Sequence, residues 1–532
     1  MSYKEINEKL DFSSCKVQKQ YIREPNLLRT LCINIISLIF FIISITFFFF
    51  YRKIIEIYLK FKIGNLYGGV LACEDLIFFM PDVSKCHITT VVYARSGKVD
   101  MVKRVKEIIQ EKVFDEPDNY PKLTSTVHPF GGYYYRKKYQ CNVNDVVKEI
   151  KLKNNKELTE EYLKKFTGEV TNSEFGKSGT LLWEIHVGSS SIKNKANGTY
   201  TYPIISRFHH SIADGTSLVS LLIQIFGDSS CQNYGEKLFQ QKLKNPHQIR
   251  KETCVQKWLV LIITNLFKKA LLYLELIFIS FGRLAELNQL KQIDINPLHG
   301  TNYTGEKLCA WASEDKVECI PLVKSIKNRC QTKFTTVICT AVTASLSHYF
   351  KRNQYPIPEY MSGFITMLLD YPDVDMSKPV ALRNKTGGSV FELPMLYGSK
   401  TLQEIFTTIS QETSKQIRLA DALAMTILLR FITYIPMTLL KLNYGWSAHT
   451  YILTNVPGGS HITTQDGWVF EKIIPIAPNM VKVGLSIALL SYDEKFQIGV
   501  LVEKKLIQSQ QELQQIADDI LFYIKALDNQ TK

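Results

Sequence analysis

The 532-residue chain lacks most of the short signatures that mark common enzyme and binding classes. Its 11 cysteines run from Cys15 to Cys339 without a single Cys-x-x-Cys pair. A disulfide framework or a zinc site would need regular spacing, so reduced thiols in a cytosol-facing protein are expected. No Gly-x-Ser-x-Gly elbow occurs, which removes the usual serine hydrolase nucleophile. Phe175-Gly176-Lys177-Ser178 imitates the end of a phosphate loop, but the earlier glycine is missing at the required spacing. There is no internal repeat and no low-complexity tract. With 21 % charged and 45 % hydrophobic residues the composition is globular, neither disordered nor fibrous. One hydrophobic core rarely exceeds about 250–300 residues, so at least two lobes are expected.

Charge is present but uninformative. The 64 Lys+Arg against 50 Asp+Glu give +14. An anionic partner such as nucleic acid, anionic lipid or an anionic substrate would suit that balance. Biased codon usage would suit it equally, since Lys, Asn, Ile, Phe and Tyr are all plentiful. The basic residues are spread rather than gathered on a recognition motif, so no nucleic acid is expected.

The one long run without charge is Thr30–Tyr51, whose core Leu31–Phe50 has only Asn34, Ser37, Ser44 and Thr46 as polar members. At about 1.5 Å per residue its twenty residues match the ~30 Å hydrocarbon core of a bilayer. Arg29 closes one end and Arg52-Lys53 the other, with Tyr51 where interfacial aromatics sit. A signal peptide fits poorly, because a long polar segment precedes the run. Residues 1–29 are therefore read as a polar tail and 30–52 as a transmembrane helix. Both flanks are positive, which leans towards a cytosolic body. The sequons at Asn197, Asn302, Asn384 and Asn529 would be glycosylated only in a lumen.

Beyond residue 64 short apolar runs alternate with amphipathic segments. Strands are expected at Ile88–Tyr93 and Tyr202–Phe208, and helices at Met101–Val113 and Thr216–Phe226, the last with Leu218, Leu221, Leu222 and Ile225 on one face. Trp258–Ser280 is apolar but interrupted by Lys268-Lys269 and Glu275, which predicts an interfacial helical hairpin or a packed connector rather than a span. Ala422–Leu442, with Arg430 and Pro436, predicts a kinked core helix. Mixed α/β is the fold class. Residues 64–230 form a first lobe, 231–299 a connector and 300–525 a second lobe.

The strongest local pattern is Phe208-His209-His210-Ser211-Ile212-Ala213-Asp214-Gly215. It places two imidazoles at the end of a strand, then an acid and a glycine at the start of a helix. A histidine here can act as general base at neutral pH, its ordinary pKa being about 6.5. Asp214 can cap the helix or pair with a cation, and Gly215 permits a turn or a close approach of substrate. Buried structural histidine is the commoner reason for such a pair. A metal hydrolase would need a third histidine at ligand spacing, and none is near.

His-His-x-x-x-Asp-Gly resembles the signature of the CoA-dependent acyltransferase superfamily, which includes chloramphenicol acetyltransferase-like folds and peptide synthetase condensation domains. Further segments are similar to one branch, the wax ester synthase/diacylglycerol acyltransferase family. These are Leu182-Trp183-Glu184-Ile185-His186, Gly305-Glu306-Lys307 with Leu308–Ser313, Leu382-Arg383-Asn384-Lys385 with Leu393-Pro394, Thr454-Asn455-Val456-Pro457-Gly458, and Leu490-Ser491-Tyr492-Asp493 with Phe496–Gly499. They fall in the family's order across residues 64–520. The Asp-Phe-Gly-Trp-Gly motif of the plant-type alcohol acyltransferases is absent. Thr335-Thr336 stand where the family has Asn-Asp before the helix Val337–Phe350, and Leu181-Leu182-Trp183 where it has Pro-Leu-Trp.

The resemblance implies two chloramphenicol-acetyltransferase-like lobes forming a tunnel, an α/β (α+β) fold preceded by the transmembrane helix. It implies transfer of a fatty acyl group from acyl-CoA to a long-chain alcohol, giving wax ester, or to a diacylglycerol, giving triacylglycerol. His210 would be the general base, with His209 and Asp214 shaping its loop. Gly215, Trp183, Asn455, Pro457 and Gly458 would bind substrate or shape the site. No metal and no bound cofactor are implied; acyl-CoA is a co-substrate, and a lipid membrane, of the endoplasmic reticulum with the body facing the cytosol or of a lipid droplet, is the setting. The rival is an acyltransferase-like membrane protein that binds lipid or partners without turnover.

Overall fold

In the computed structural model the alternating segments become two mixed six-stranded sheets with helices between and around them. The structure describes residues 12, 14–18, 27–79, 85–140, 142–152, 158–175, 179–194, 198–233, 255–280, 294, 296–300, 303–314, 319–369, 378–443, 449–479 and 483–531. Lys177 and Ser178, Asn197, Asn302 and much of the 231–299 connector lie outside these residues.

The first sheet has the order Val469–Ile476, His87–Ser96, Tyr200–His209, Trp183–Val187, Val147–Glu149, with Lys193–Asn194 beside Tyr200–His209. Its central pair is antiparallel throughout, from Ser96 opposite Tyr200 to His87 opposite His209. Residues 201–209 are all buried, the polar Thr201, Ser206, Arg207 and His209 included. One face, with Ile204 and Phe208, packs on Leu218, Leu221 and Ile225 of the helix Gly215–Phe226. The opposite face, with Val91, Tyr93 and Ile205, packs on Trp311 and Leu501 from the second half of the chain. The strand Val469–Ile476 also comes from that second half and pairs antiparallel with His87–Ser96. The halves are thus stitched together by a shared sheet as well as by packing.

The second sheet has the order Lys307–Ser313, Lys495–Glu503, Leu485–Tyr492, Tyr451–Gly459, Tyr360–Leu368, Thr386–Pro394. The helix Phe334–Arg352, buried at every position from Thr336 to Phe350, packs between Gln510–Gln530 and Leu402–Gln416. Its buried hydroxyls, such as Thr336, Thr343 and Ser345, are hydrogen-bonded, and its apolar residues belong to the largest cluster. A smaller three-stranded sheet joins Tyr67–Val70, Tyr133–Lys138 and Ser125–Phe130.

Several expected elements appear with longer bounds. Met101–Val113 forms as the helix Met101–Ile109 and a π-turn at Gln110–Phe114. The Trp258–Ser280 region is not a hairpin: Val255–Glu275 is one helix that runs on into a π-turn at Leu276–Ser280. The sequence between Trp258 and Ser280 contains no Gly or Pro, so nothing there reverses the chain. Ala422–Leu442 becomes two helices, Leu419–Ile432 and Met437–Asn443, broken before Pro436, which has no N–H to continue the ladder. Leu419 and Phe431 are exposed, so the first of them is not a core helix throughout.

The expected transmembrane element of 30–52 needs the largest correction. The helix there is Leu27–Ile63, continuing well past Arg52. Arg52 is no bilayer flank: it is 6 % exposed and donates from Nη2 to the Leu71 carbonyl at 2.6 Å, its guanidinium 5.7 Å from the Tyr133 ring centroid. One turn further Ile55 and Leu59 are buried against Leu71, Leu76 and Met437. The C-terminal third of the helix is therefore part of the body. Among the described residues no helix is long and apolar enough to cross a membrane. Nor is the 1–29 tail wholly free, since Val17–Gln18 pairs in parallel with Ile357–Pro358.

Candidate active site

The strand Tyr200–His209 delivers both histidines to the seam between the halves. His209 is 1 % exposed, and its backbone N–H donates to the Leu182 carbonyl at 2.8 Å. Its ring packs beside Phe79, centroids 4.7 Å apart. The Ser211 amide donates to its Nδ1 at 3.2 Å, with the Ser211 hydroxyl 2.8 Å from the same atom. These contacts pack His209 into the turn that follows the strand. His210 leaves the strand: its backbone N–H bonds the Cys86 carbonyl at 2.9 Å, and its half-buried ring stacks on Phe78 at 3.9 Å between centroids. Burial holds its pKa below the ordinary imidazole value, while a bond to its own carbonyl, Asp214, Asn384 and Asp75 pull the other way.

Asn384, from the Leu382-Arg383-Asn384-Lys385 loop of the second half, reaches His210. Its Oδ1 lies 3.1 Å from His210 Nδ1, and its Nδ2 donates to the His210 carbonyl and to Asp75 Oδ1, both at 2.8 Å. Asp75 is 1 % exposed and pairs through its other oxygen with Lys122 and, at 3.5 Å, with Arg136. Burial lowers the pKa of both cations, against the pull of Asp75.

Asp214 is the N-cap of the helix Gly215–Phe226. Its Oδ1 accepts from the Ser217 amide at 2.9 Å and the Thr216 hydroxyl at 2.8 Å. Its Oδ2 accepts from the Lys385 amide at 2.9 Å and the Thr386 hydroxyl at 3.1 Å. One carboxylate thereby caps a helix of the first half and clamps a loop of the second. Gly215 does not sit at positive φ, so the turn does not require it. A Cβ there would lie 3.3 Å from Val456 Cγ2, so close approach is what it provides.

The other residues expected from the sequence have partners of their own. Trp183 is buried, donates to the Leu123 carbonyl at 2.9 Å and stacks on Phe208. Its indole forms part of an apolar cavity that also takes in Val92, Leu218, Leu222, Val456 and Gly215. Thr90 and Ser206, polar groups of the same wall, bond each other at 2.5 Å. Asn455 is exposed on the strand Tyr451–Gly459, while its neighbour Val456 turns to the cavity. Pro457 and Gly458 form an irregularity in the pairing with Leu485–Tyr492, and a Cβ on Gly458 would meet the Ser491 carbonyl at 2.8 Å. Thr335-Thr336 lie elsewhere: buried Thr336 bonds the Thr413 hydroxyl at 2.8 Å, tying two core helices.

Asp75 carries no sequence signal, and Asn384 lies in a quoted motif without an assigned role. Among the described residues no group of three or more His, Cys, Asp or Glu could hold a metal ion.

Comparison with known proteins relates part of the sequence to a family and the whole fold to known structures. The family described as WS/DGAT C-terminal domain matches residues 383–525. No curated protein matches the sequence. In fold the chain is similar to the wax ester synthase/diacylglycerol acyltransferase from Marinobacter aquaeolei VT8, with a TM-score of 0.55 at 14 % identity over 87 % of this chain and 99 % of that one. It is similar also to the TRI3 trichothecene 15-O-acetyltransferase from Fusarium sporotrichioides (TM-score 0.52, 11 % identity, 85 % of this chain and 94 % of that one). A third likeness is to the starter condensation domain of rhizomide synthetase RzmA, solved with C8-CoA (TM-score 0.52, 10 % identity, 89 % and 97 %). At these identities the structural likenesses establish the two-lobed fold, and the sequence match is confined to the second half. Residues 383–525 thus match the WS/DGAT C-terminal domain family, and the chain as a whole has the two-lobed fold of the acyltransferases it resembles.

Proposed function

We propose that the chain transfers a fatty acyl group from acyl-CoA to a lipid hydroxyl, that of a long-chain alcohol or a diacylglycerol, with His210 as general base. The observation that carries this reading is the placement of His210 at the seam between the halves, stacked on Phe78 and bonded to Asn384; an apolar cavity between the first sheet and the helix Gly215–Phe226, lined by Gly215 and not by His210, lies beside the motif. Its lining is aliphatic and aromatic, and its hydroxyls at Thr90 and Ser206 satisfy each other, a wall suited to an alkyl chain. His210 takes the proton of the acceptor hydroxyl as the oxygen attacks the thioester carbon. The tetrahedral oxyanion collapses, the C–S bond breaks, and the departing CoA thiolate takes the proton back from His210. No covalent enzyme intermediate is needed, so no nucleophilic Ser or Cys is required.

The setting we propose is a membrane surface, that of the endoplasmic reticulum with the body facing the cytosol, or of a lipid droplet. The support is the first part of the helix Leu27–Ile63, where Ile35, Ile39, Ile42, Ile43, Phe47 and Phe50 are exposed. An apolar surface of that extent marks an interaction site. Asn384, in one of the four sequons, is buried and fully hydrogen-bonded, so glycosylation there is incompatible with the fold. Expression in cells without neutral lipids, followed by separation of lipid classes, tests the reading. Wax ester or triacylglycerol is expected; neither, with the protein abundant and folded, would favour the non-catalytic lipid-binding alternative.

A further inference from the structure

We propose that Asn384 is a positioning residue, backed by Asp75, that locks His210 in the tautomer with the proton on Nδ1 and leaves Nε2 free to accept the substrate proton. The inference rests on the reading of His210 as the base. The amide's orientation is set by what it faces. Its nitrogen lies 2.8 Å from two oxygens, Asp75 Oδ1 and the His210 carbonyl. Turned over, the amide would put its oxygen against both, two close oxygen pairs with no proton between them, because a carbonyl has none and Asp75 is ion-paired with Lys122 and Arg136. The amide oxygen therefore faces His210 Nδ1 at 3.1 Å. A carbonyl oxygen only accepts, and the ring's other bond, to its own backbone carbonyl, favours the same form, so Nδ1 carries the hydrogen and in the neutral ring the lone pair is on Nε2.

The same three contacts fix the ring's direction. The stack on Phe78 at 12° between planes sets the ring plane, and Asn384 selects which edge turns inward. Asp75 cannot touch His210 through this path; it holds the amide that does. Because Asn384 belongs to the second half and His210 to the first, the base is correctly posed only when the halves are docked. The Asp214 clamp on Lys385 and Thr386 holds the same loop at its next residues.

Steady-state kinetics of the full chain across pH, with wild type, His210→Ala, Asn384→Ala, Asn384→Asp and Asp75→Asn, test the proposal. Asn384→Ala is expected to lower kcat about 10²-fold, the cost of a misplaced catalytic group, with KM for acyl-CoA little changed. Asn384→Asp keeps an acceptor at Nδ1 but turns a second oxygen on Asp75 and the His210 carbonyl, so it is expected to lower kcat as well. Its carboxylate favours the imidazolium, so the acidic limb of the pH–rate profile must move to higher pH. Asp75→Asn is expected to lower kcat less than Asn384→Ala does. Wild-type kcat and pH profile in Asn384→Ala, with His210→Ala inactive, overturn the positioning role alone; an active His210→Ala overturns the base reading beneath it. Should Asn384→Ala not fold, an unshifted acidic limb in Asn384→Asp overturns the proposal by itself.

Discussion

Both oxygens of Asp214 are committed to hydrogen bonds, two in its own helix and two in the loop from the other half. Asp214→Ala is therefore expected to lower stability by about 1 kcal/mol for the lost cap, and more for the lost clamp, with activity falling in parallel. Activity lost at an unchanged Tm would contradict this assignment. His210 carries the pH dependence. It must be neutral to accept a proton, and burial lowers its pKa, so falling pH protonates it later than it would a free imidazole. The acidic limb of kcat/KM is expected below pH ~6.5, and a limb above that value would contradict a buried base. The histidines, the cap and the glycine were legible because they are contiguous in sequence, and the interval between them is one strand end and one helix start. Asn384 and Asp75 were not. Each is brought to His210 from another element, and a single asparagine or aspartate has no local pattern that announces a distant partner.

Elements with a strong period were read well. Tyr200–His209 and Gly215–Phe226 differ from the expected bounds by a residue or two, because alternation and the i, i+3, i+4 pattern reflect the same burial that forms them. Apolar runs without such contrast were read less well. Trp258–Ser280 offered no breaker and became one helix, and the run after Thr30 gave no sign that its helix continues into the body. Truncation separates the two parts of Leu27–Ile63. Removing residues 1–50 is expected to abolish membrane association and to lower Tm, because it also takes buried Phe12 and the Val17–Gln18 strand from the body; removing residues 1–63 further deletes Arg52, Ile55 and Leu59 and should unfold the body. Membrane pelleting with a thermal melt of both forms checks this, and a 1–50 deletion that still pellets with membranes would contradict the helix as the attachment. Thr336 is a packing residue on this account. Thr336→Val removes its bond to Thr413 and is expected to cost about 1 kcal/mol without changing kcat.

At the scale of the whole molecule, the two lobes expected from length are present but not independent. The strand Val469–Ile476 crosses into the first sheet, and Asn384 and Asp214 bind across the seam from opposite sides. Sequence order gives no hint of such an exchange, because a strand's partner is chosen by the edge that the fold leaves open. The +14 charge found no defined partner in the structure, whereas the apolar cavity beside the motif helix gave the lipid reading its support. Base, clamp and positioning amide meet only in the assembled molecule, so the account stands or falls on acyl transfer through His210. The direct measurement is release of CoA thiol together with ester formation by the purified full chain, wild type against His210→Ala. The account predicts that His210→Ala loses about 10²–10⁴-fold in kcat at an unchanged Tm; ester formation by His210→Ala at the wild-type rate would contradict it.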